Sequence, residues 1–283
     1  MTRVSSSGDA FFTTADGKTF EPGPLARGPW GPTVGGQLVS GLLGWAVERD
    51  AGQPELLPAR LTVDLLRPTF LEPVRVTTTV QREGRRIKVA DVTLTQRDEV
   101  VSRASAVFLR RGEEPDTRVW STPVAMPPLP AEPADLPPDA PMALWAFGAD
   151  AGSFDAGAWQ QAEHPKFAWV RQVRPLIADH EVTPFTRAVM CGEVTSPLTH
   201  FGTGGLRYIN ADYTITLSRL PEGEHIGLAA YTHHSAAGVA TGTATLFDTC
   251  GPIGTAMAVA LGQAAEAFRP ERPRHDSNVR PRD

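Results

Sequence analysis

The amino-acid sequence predicts an α+β protein in which an antiparallel β-sheet wraps a long central helix, twice in tandem. Three observations support this fold class. A helical pattern begins near Thr183, a strand pattern with apolar residues at every second position follows it directly, and the same order of elements occurs earlier in the chain. A helix followed by several strands with short connections favours a sheet that curves over one helix in each half.

The second-half helix carries clear start and stop signals. Thr183 suits the N-cap, Pro184 suits the first helical position, and Gly202 ends the apolar pattern. This spacing predicts one continuous buried helix. Beyond the glycines, residues 208–219 alternate apolar and polar side chains, which is typical of a strand with one buried face.

The two halves are related by a constant displacement of 152 positions. Pro32 maps onto Pro184 and Arg67 maps onto Arg219 without a gap. An ungapped register that preserves the order of elements indicates a tandem duplication. The alternative is two unrelated strand-rich halves with similar apolar patterns. The repeat also predicts that the first helix opens at Pro32.

The repeat and a proline-rich stretch divide the chain into four parts. We predict an N-terminal unit at 11–111, an extended linker at 112–141, a C-terminal unit at 142–263 and a disordered tail at 264–283. Strands are predicted at 60–67, 74–81, 87–96 and 100–111, and again at 144–147, 167–173, 208–219, 226–233, 239–247 and 253–261.

Composition excludes several classes of function. The 283 residues are 41% hydrophobic and 21% charged, with a net charge of −5 at pH 7. There is no basic cluster for nucleic acid and no apolar run near the roughly 20 residues that cross a membrane. Because the N-terminus lacks an apolar signal segment, we expect a cytoplasmic protein. Exposed sheet edges favour pairing of the halves and allow a homo-oligomer.

The duplicated pattern resembles the double-hotdog acyl-CoA thioesterases of the thioesterase II type, over about Phe20 to Leu261. The segments that carry the resemblance are RGPWGPTVGGQL, YINADYTITLSR, EHIGLAAYT and GPIGTAMAVAL. The resemblance implies a tandem double hotdog with two long central helices. It also implies a hydrolase of fatty acid metabolism, which cleaves a fatty acyl-CoA to the free acid and CoA by means of an oriented water and needs no cofactor.

In thioesterases of this type an Asp, a Thr or Ser, and a Gln hold the attacking water. Matched residue by residue, the Asp falls on Asp212 and the hydroxyl on Thr232, and Asn210 precedes Asp212 by two places, which predicts that they share a strand face. The Gln position falls near Ala258. Because this chain departs from the family there, a non-hydrolytic acyl-CoA- or lipid-binding hotdog is the alternative, and a structural scaffold is a third interpretation.

The candidate residues also have structural interpretations. Asp212 would cap a strand end, and Thr232 would be an ordinary β-branched strand residue. Gly35 and Gly36 mark either a close packing contact of the first helix or the place where substrate approaches the backbone.

His233 is a candidate for substrate contact. A metal site at His233 and His234 is not indicated, because adjacent strand residues point to opposite faces and no third ligand is suitably spaced.

Overall fold

The computed structural model describes residues 9–131, 136–137, 139–148 and 156–263. Three α-helices, α1 (Gly36–Ala51), α2 (Pro184–Gly192) and α3 (Thr195–His200), pack against a large antiparallel sheet. The strands are β1 (Phe12–Thr13), β2 (Thr19–Pro22), β3 (Leu56–Leu65), β4 (Val74–Glu83), β5 (Ile87–Gln96), β6 (Glu99–Arg110), β7 (Met142–Phe147), β8 (Lys166–Gln172), β9 (Phe201–Gly202), β10 (Gly205–Leu206), β11 (Tyr208–Asn210), β12 (Asp212–Leu217), β13 (His225–Ala236), β14 (Val239–Asp248) and β15 (Gly251–Gly262).

The strand predictions are confirmed to within a few residues at their ends, and the tandem helix-and-sheet fold is confirmed with them. Among the described residues, thirteen strands join into one sheet. The first half contributes the order β1-β2-β4-β5-β6-β3. The second half contributes β12-β15-β14-β13-β8-β7, with β11 also paired to β15, and β3 pairs with β12 across the junction. The predicted tail lies outside the described residues.

The junction between the halves has an internal two-fold relation. Strands β3 and β12 are antiparallel, and their register places Thr62 opposite Thr214. These two residues are 152 positions apart, which is the displacement of the repeat, and their hydroxyls are hydrogen-bonded at 3.1 Å. Equivalent positions therefore face each other at one point of the junction, as they do where a two-fold axis crosses an isologous interface.

The first helix begins later than the sequence predicted. Pro32 is not helical, and α1 starts at Gly36 with Gly35 as its N-cap. The preceding residues are held in extended form, because the N–H of Val34 donates to the carbonyl of Thr69 at 2.7 Å. The prediction of a helix from Pro32 was wrong because tertiary pairing with the loop after β3 competes for these backbone groups.

The second-half helix is not continuous. It breaks at Glu193 and Val194, between α2 and α3. Pro197 has no N–H to donate to the carbonyl of Glu193, and its ring conflicts with that carbonyl in a regular α-helix. The N–H of Ser196 bonds to the carbonyl of Glu193 at 3.1 Å instead, in a tighter turn. The predicted start is confirmed, since Thr183 caps the N–H of Thr186.

The helices α1 and α2 run antiparallel in close contact. A Cβ placed on each of three α1 glycines would meet a second-half side chain at 2.5–3.3 Å: Gly36 meets Glu193, Gly41 meets Met190, and Gly44 meets Val189. Glycine at these places lets the helix axes approach. The close neighbour of Gly36 is thus an acidic side chain at the end of α2.

The proline-rich linker lies on the outer face of the C-terminal unit. It contributes Val124, Met126 and Leu129 to a second apolar cluster that contains Trp145 and Trp169. Both indoles donate to linker carbonyls, Trp169 to Pro127 at 2.8 Å and Trp145 to Ala131 at 3.4 Å. These described residues of the predicted linker cover apolar surface of the sheet.

Candidate active site

Glu193 is a buried carboxylate between the two halves of the molecule. Its side chain is 8% exposed, and its Oε1 accepts a hydrogen bond from Nδ2 of Asn210 at 2.9 Å. A Cβ on Gly36 would lie 2.6 Å from the same oxygen. Sequence reasoning singled out Asn210 and Gly36 separately, and the structure brings them together around Glu193.

The environment of Glu193 favours proton transfer near neutral pH. Burial raises the pKa of this carboxyl from 4.5 to about 7, and the hydrogen bond from Asn210 opposes part of that rise. An acid whose pKa lies near the working pH is ionised often enough to accept a proton and is still basic. Glu193 therefore has the protonation behaviour expected of a general base.

The N-terminus of α1 adds backbone donors to the site. Gly36 and Gln37 open the helix, and the N–H groups of a first helical turn have no acceptor within the helix itself. Such N–H groups stabilise negative charge at a helix N-terminus. The preceding loop fixes this end of α1: the N–H of Gly35 donates to Ala26 at 3.0 Å, and a Cβ on Gly28 would meet the Cα of Gly35 at 2.7 Å.

Asp212 lies apart from Asn210, on the other face of the strand. Asn210 is opposite Ala260, and Thr214 is opposite Met257. The chain therefore advances four residues from Asn210 to Thr214 while β15 advances three, which leaves one extra residue between β11 and β12. The extra residue forms a β-bulge at Ala211 and Asp212. The prediction that Asn210 and Asp212 share a face was wrong because of this bulge.

The carboxyl of Asp212 has its own partners. Its Oδ1 accepts the N–H of Val259 at 2.6 Å, and the residue is half-buried. It pairs in register with Asp64, which bonds to the exposed Arg103 at 2.6 Å. Burial raises the pKa of Asp212, the carboxylate of Asp64 raises it further, and the bond from Val259 lowers it. These contacts are those of a residue that fastens the bulge on the outer side of the sheet.

Thr232 is also on the outer side. It is exposed, and its hydroxyl lies 2.5 Å from that of Thr243 and accepts the N–H of Thr243 at 3.0 Å. Its neighbour His233 is opposite Gly242, where a Cβ would meet the side chain of Thr199 on α3. Successive strand residues alternate faces, so His233 is on the helix side and Thr232 is not.

His233 forms a pair with a buried histidine of α3. Its Nδ1 lies 3.1 Å from Nδ1 of His200, and the ring of Tyr208 is within 5.8 Å of both imidazoles. Burial, and after it the neighbouring His233, lower the pKa of His200 to about 4. Because Tyr208 and Asn210 are two residues apart on one strand, the histidine pair lies about 7 Å along the sheet from the Glu193 site.

Ala258 has a packing role in this chain. It is fully buried, and it lies opposite Gly242, the residue against which Thr199 of α3 packs. Full burial of Ala258 leaves no solvent-exposed space for a longer side chain there. The residue opposite Asn210 is Ala260, which is also small and buried.

A surface cavity of about 190 Å³ flanks the loop that leads into α1. Phe70 and Arg97 line it, and Thr33 from that loop pairs with Phe70. The guanidinium of Arg97 is bound to Glu72, and that of Arg67 lies 3.5 Å from Glu99. The arginines that line this cavity therefore already have ion-pair partners. Among the described residues, the hydrogen-bond partner of the Glu193 carboxylate is the neutral Asn210.

The described part of the chain contains neither a metal-binding cluster nor a membrane-spanning helix. Within it, no group of three or more His, Cys, Asp or Glu side chains is arranged to hold a metal ion. The helices of the same residues are all too short or too polar to cross a membrane.

Sequence reasoning missed Glu193. The signal was present, since this is a single carboxylate inside the otherwise uncharged segment AVMCGEVTSPL of a helix whose other positions are apolar or small. Acidic residues are rarely buried without a specific partner. The family resemblance predicted site residues on the strand that follows the helix, and none on the helix itself.

Comparisons with known proteins agree with the fold and the repeat. One family model, the acyl-CoA thioesterase N-terminal domain, matches residues 26–109. A second model, the acyl-CoA thioesterase C-terminal domain, matches residues 88–261. A search of curated proteins found no match.

Solved structures show the same architecture at low sequence identity. A putative thioesterase II from Thermobifida fusca YX is 14% identical with a TM-score of 0.67, covering 91% of this chain and 98% of that chain. A hot dog protein from Alicyclobacillus acidocaldarius is 20% identical with a TM-score of 0.66, covering 91% and 98%. The acyl-CoA thioesterase II TesB2 from Mycobacterium marinum is 16% identical with a TM-score of 0.63, covering 92% and 97%.

These likenesses show the hot dog fold, and the C-terminal domain model alone spans more than half of the 283 residues. A duplicated helix-and-sheet unit, matched by the two domain models in their expected order, places this chain in the acyl-CoA thioesterase family.

Proposed function

We propose that this protein hydrolyses a fatty acyl-CoA thioester to the free acid and CoA, with Glu193 as the general base. The observation that carries the proposal is the buried carboxylate of Glu193, which is bonded to Asn210 and lies against the N-terminus of α1. The family supports a thioester substrate.

The chemistry needs one water and no cofactor. Glu193 accepts a proton from the water as the water oxygen attacks the thioester carbonyl carbon, and the carbonyl oxygen becomes an oxyanion. The carbon–sulfur bond then breaks, and the leaving thiolate takes the proton from Glu193. Asn210 holds the carboxylate in place, which keeps the base oriented toward the water.

The first turn of α1 is suited to the oxyanion. Gly36 lies against Glu193 at the start of α1, and in this proposal the N–H groups of Gly36 and Gln37 donate to the oxyanion. The space that a Cβ would take is filled by the side chain of Gln37 at Gly35 and by that of Glu193 at Gly36, and contact of these glycines with substrate stays a prediction. Donors of this kind typically contribute about 10²–10³ in rate each. The tunnel for the acyl chain, the contact of His233 with substrate and a cytoplasmic location stay predictions.

The test is hydrolysis of acyl-CoA substrates of different chain length by wild type and two variants. We expect Glu193→Gln to lower kcat by about 10²–10⁴-fold, because an amide cannot accept the proton. The matched control is Asp212→Asn, the same carboxylate-to-amide change on the outer face. We expect it to keep kcat within a few-fold of wild type.

Two results would contradict the proposal. If the Asp212 variant loses hydrolysis and the Glu193 variant keeps full activity, the general base is Asp212 and not Glu193. Saturable binding of acyl-CoA by wild type at every chain length, with no release of free CoA, would mean that the protein binds thioesters without cleaving them.

A further inference from the structure

The hydroxyl of Tyr213 is a buried polar group that the reaction as described above does not use. Tyr213 is 0% exposed, and its hydroxyl has no hydrogen-bond partner among the described residues. Leaving such a group unpaired costs about 1–3 kcal/mol. Phenylalanine would fill the same space without that cost, so the hydroxyl calls for a functional explanation.

The β-bulge turns Tyr213 toward Glu193. Ala211 and Asp212 both face outward at the bulge, so Asn210 and Tyr213 on either side of it both face the helices. A regular strand would place residues three apart on opposite faces. The bulge thus brings two hydrogen-bond donors from one strand to the same side of the sheet.

The phenol reaches the residue next to the proposed base. A Cβ on Gly192 would lie 2.3 Å from the hydroxyl oxygen of Tyr213, so only glycine leaves room for it there. Glu193 is the following residue, and its negative charge adds to the effect of burial in raising the pKa of Tyr213. Ser40 lies between Gly36 and Gly44 on the face of α1 toward α2, and its hydroxyl is also buried and unpaired.

Among the described residues, the Glu193 carboxylate has unused hydrogen-bond acceptor sites, and the Tyr213 hydroxyl is an unused donor. An ionised carboxylate has about four acceptor sites, and that of Glu193 accepts one hydrogen bond from the described residues, from Asn210. Tyr213 has an unused donor. The phenol is fully buried, and burial raises its pKa well above 10, so it keeps its proton at every working pH.

We propose that Tyr213 is a positioning residue of the hydrolase, whose hydroxyl donates a hydrogen bond to the ionised Glu193 carboxylate through one ordered water. This inference rests on the proposed function. Among the titratable groups, Tyr213 from β12 interacts with the Glu193 carboxylate and Cys191 from α2 interacts with Tyr213, whereas α1 contributes Gly36 and β11 the neutral Asn210. Removing the hydroxyl therefore removes a donor to the charged form without changing any nearby charge.

The experiment compares Tyr213→Phe with wild type in the full chain. We expect the acid limb of the kcat/KM profile to shift to higher pH by about one unit, because the ionised Glu193 carboxylate loses a hydrogen-bond donor and its pKa rises. At pH 6 this corresponds to about a tenfold lower kcat/KM, with KM nearly unchanged. Tyr231→Phe is the matched control, since its hydroxyl bonds to Ala125 on the outer face, and its profile should superimpose on wild type.

The outcomes separate this inference from the proposed function. If wild type hydrolyses acyl-CoA and Glu193→Gln does not, while the Tyr213→Phe profile superimposes on wild type, Tyr213 has no positioning role and Glu193 keeps its own. If Glu193→Gln is fully active, the proposed function itself fails. Thermal unfolding of Tyr213→Phe at pH 5 tests folding separately: a melting temperature equal to or above that of wild type, together with the shifted limb, supports the positioning role.

Discussion

The properties of Glu193 come from its burial more than from its identity. Its carboxyl is enclosed by α1, α2 and the sheet, with Asn210 as the donor that holds it. The opposite end of the same helix pair shows the contrast. There Glu48 accepts from Thr183 at 2.5 Å and from Thr186 at 3.4 Å, and burial raises its pKa as well. Glu48 bonds to the residues that cap α2, whereas Glu193 lies against Gly36 at the N-terminus of α1.

A base with a raised pKa makes the fold less stable at high pH. The pKa of Glu193 is about 7 in the folded protein and 4.5 in its unperturbed state. The folded state thus holds an extra proton between these values, and the stability it gives is present below about pH 4.5 and lost as pH rises through about 7. The loss is on the order of 3 kcal/mol.

We therefore expect Glu193→Gln to stabilise the protein while it removes activity. At pH 8 its melting temperature should exceed that of wild type by roughly 5 °C or more, because the amide is never charged, and at pH 4.5 the two should nearly coincide. Differential scanning calorimetry at the two pH values measures this. A difference that does not depend on pH would mean that Glu193 ionises in the folded protein as it does in water.

At the scale of elements, the approach of α1 to α2 sets the geometry of the site. Gly36 faces the carboxylate of Glu193, and Gly41 faces the flexible side chain of Met190. These glycines lie on one helix and contact the same neighbouring helix. The partner of Gly36 belongs to the proposed site, and the partner of Gly41 does not.

We expect Gly36→Ala to reduce kcat by at least tenfold, because its Cβ would lie 2.6 Å from Oε1 of Glu193 and displace the base. Gly41→Ala is the control, with a Cβ 2.5 Å from Cγ of Met190. It should lower the melting temperature and leave kcat close to wild type. Steady-state kinetics and thermal unfolding of both variants measure the two effects. Equal losses of kcat would show that helix spacing, and not the position of Glu193, limits activity.

The whole molecule is organised by the junction of its two halves. Strands β3 and β12 pair in the middle of the sheet, and Thr62 and Thr214 bond to each other at the two-fold point. The first half carries Gly41 and Pro58 where the second half carries Glu193 and Asn210, at the displacement of 152. The duplicated chain therefore builds one proposed site, with residues from both halves around it.

The hydroxyl pair at the junction should show measurable coupling. Each of Thr62→Val and Thr214→Val leaves one half-buried hydroxyl without its partner, at a cost of about 1 kcal/mol. The double variant removes both groups, and valine fits a strand as well as threonine does, so it should cost less than the sum of the single changes by about 0.5–1 kcal/mol. Urea unfolding of the four proteins measures the cycle. Strict additivity would show that the bond contributes nothing to the junction.

The sequence by itself determined the order of elements, the duplication and the cap at Thr183, because hydrophobic period and capping chemistry are local properties of the chain. It also placed Gly36 and Asn210 among the candidate residues. Tertiary structure alone decided three other features. The loop after β3 holds Val34 and delays the first helix, the bulge at Ala211 and Asp212 turns Asn210 toward the helices, and the packing of α1 against α2 brings Glu193 to the start of α1. Each depends on a contact between residues that are distant in sequence, and the local pattern of either partner does not show such a contact.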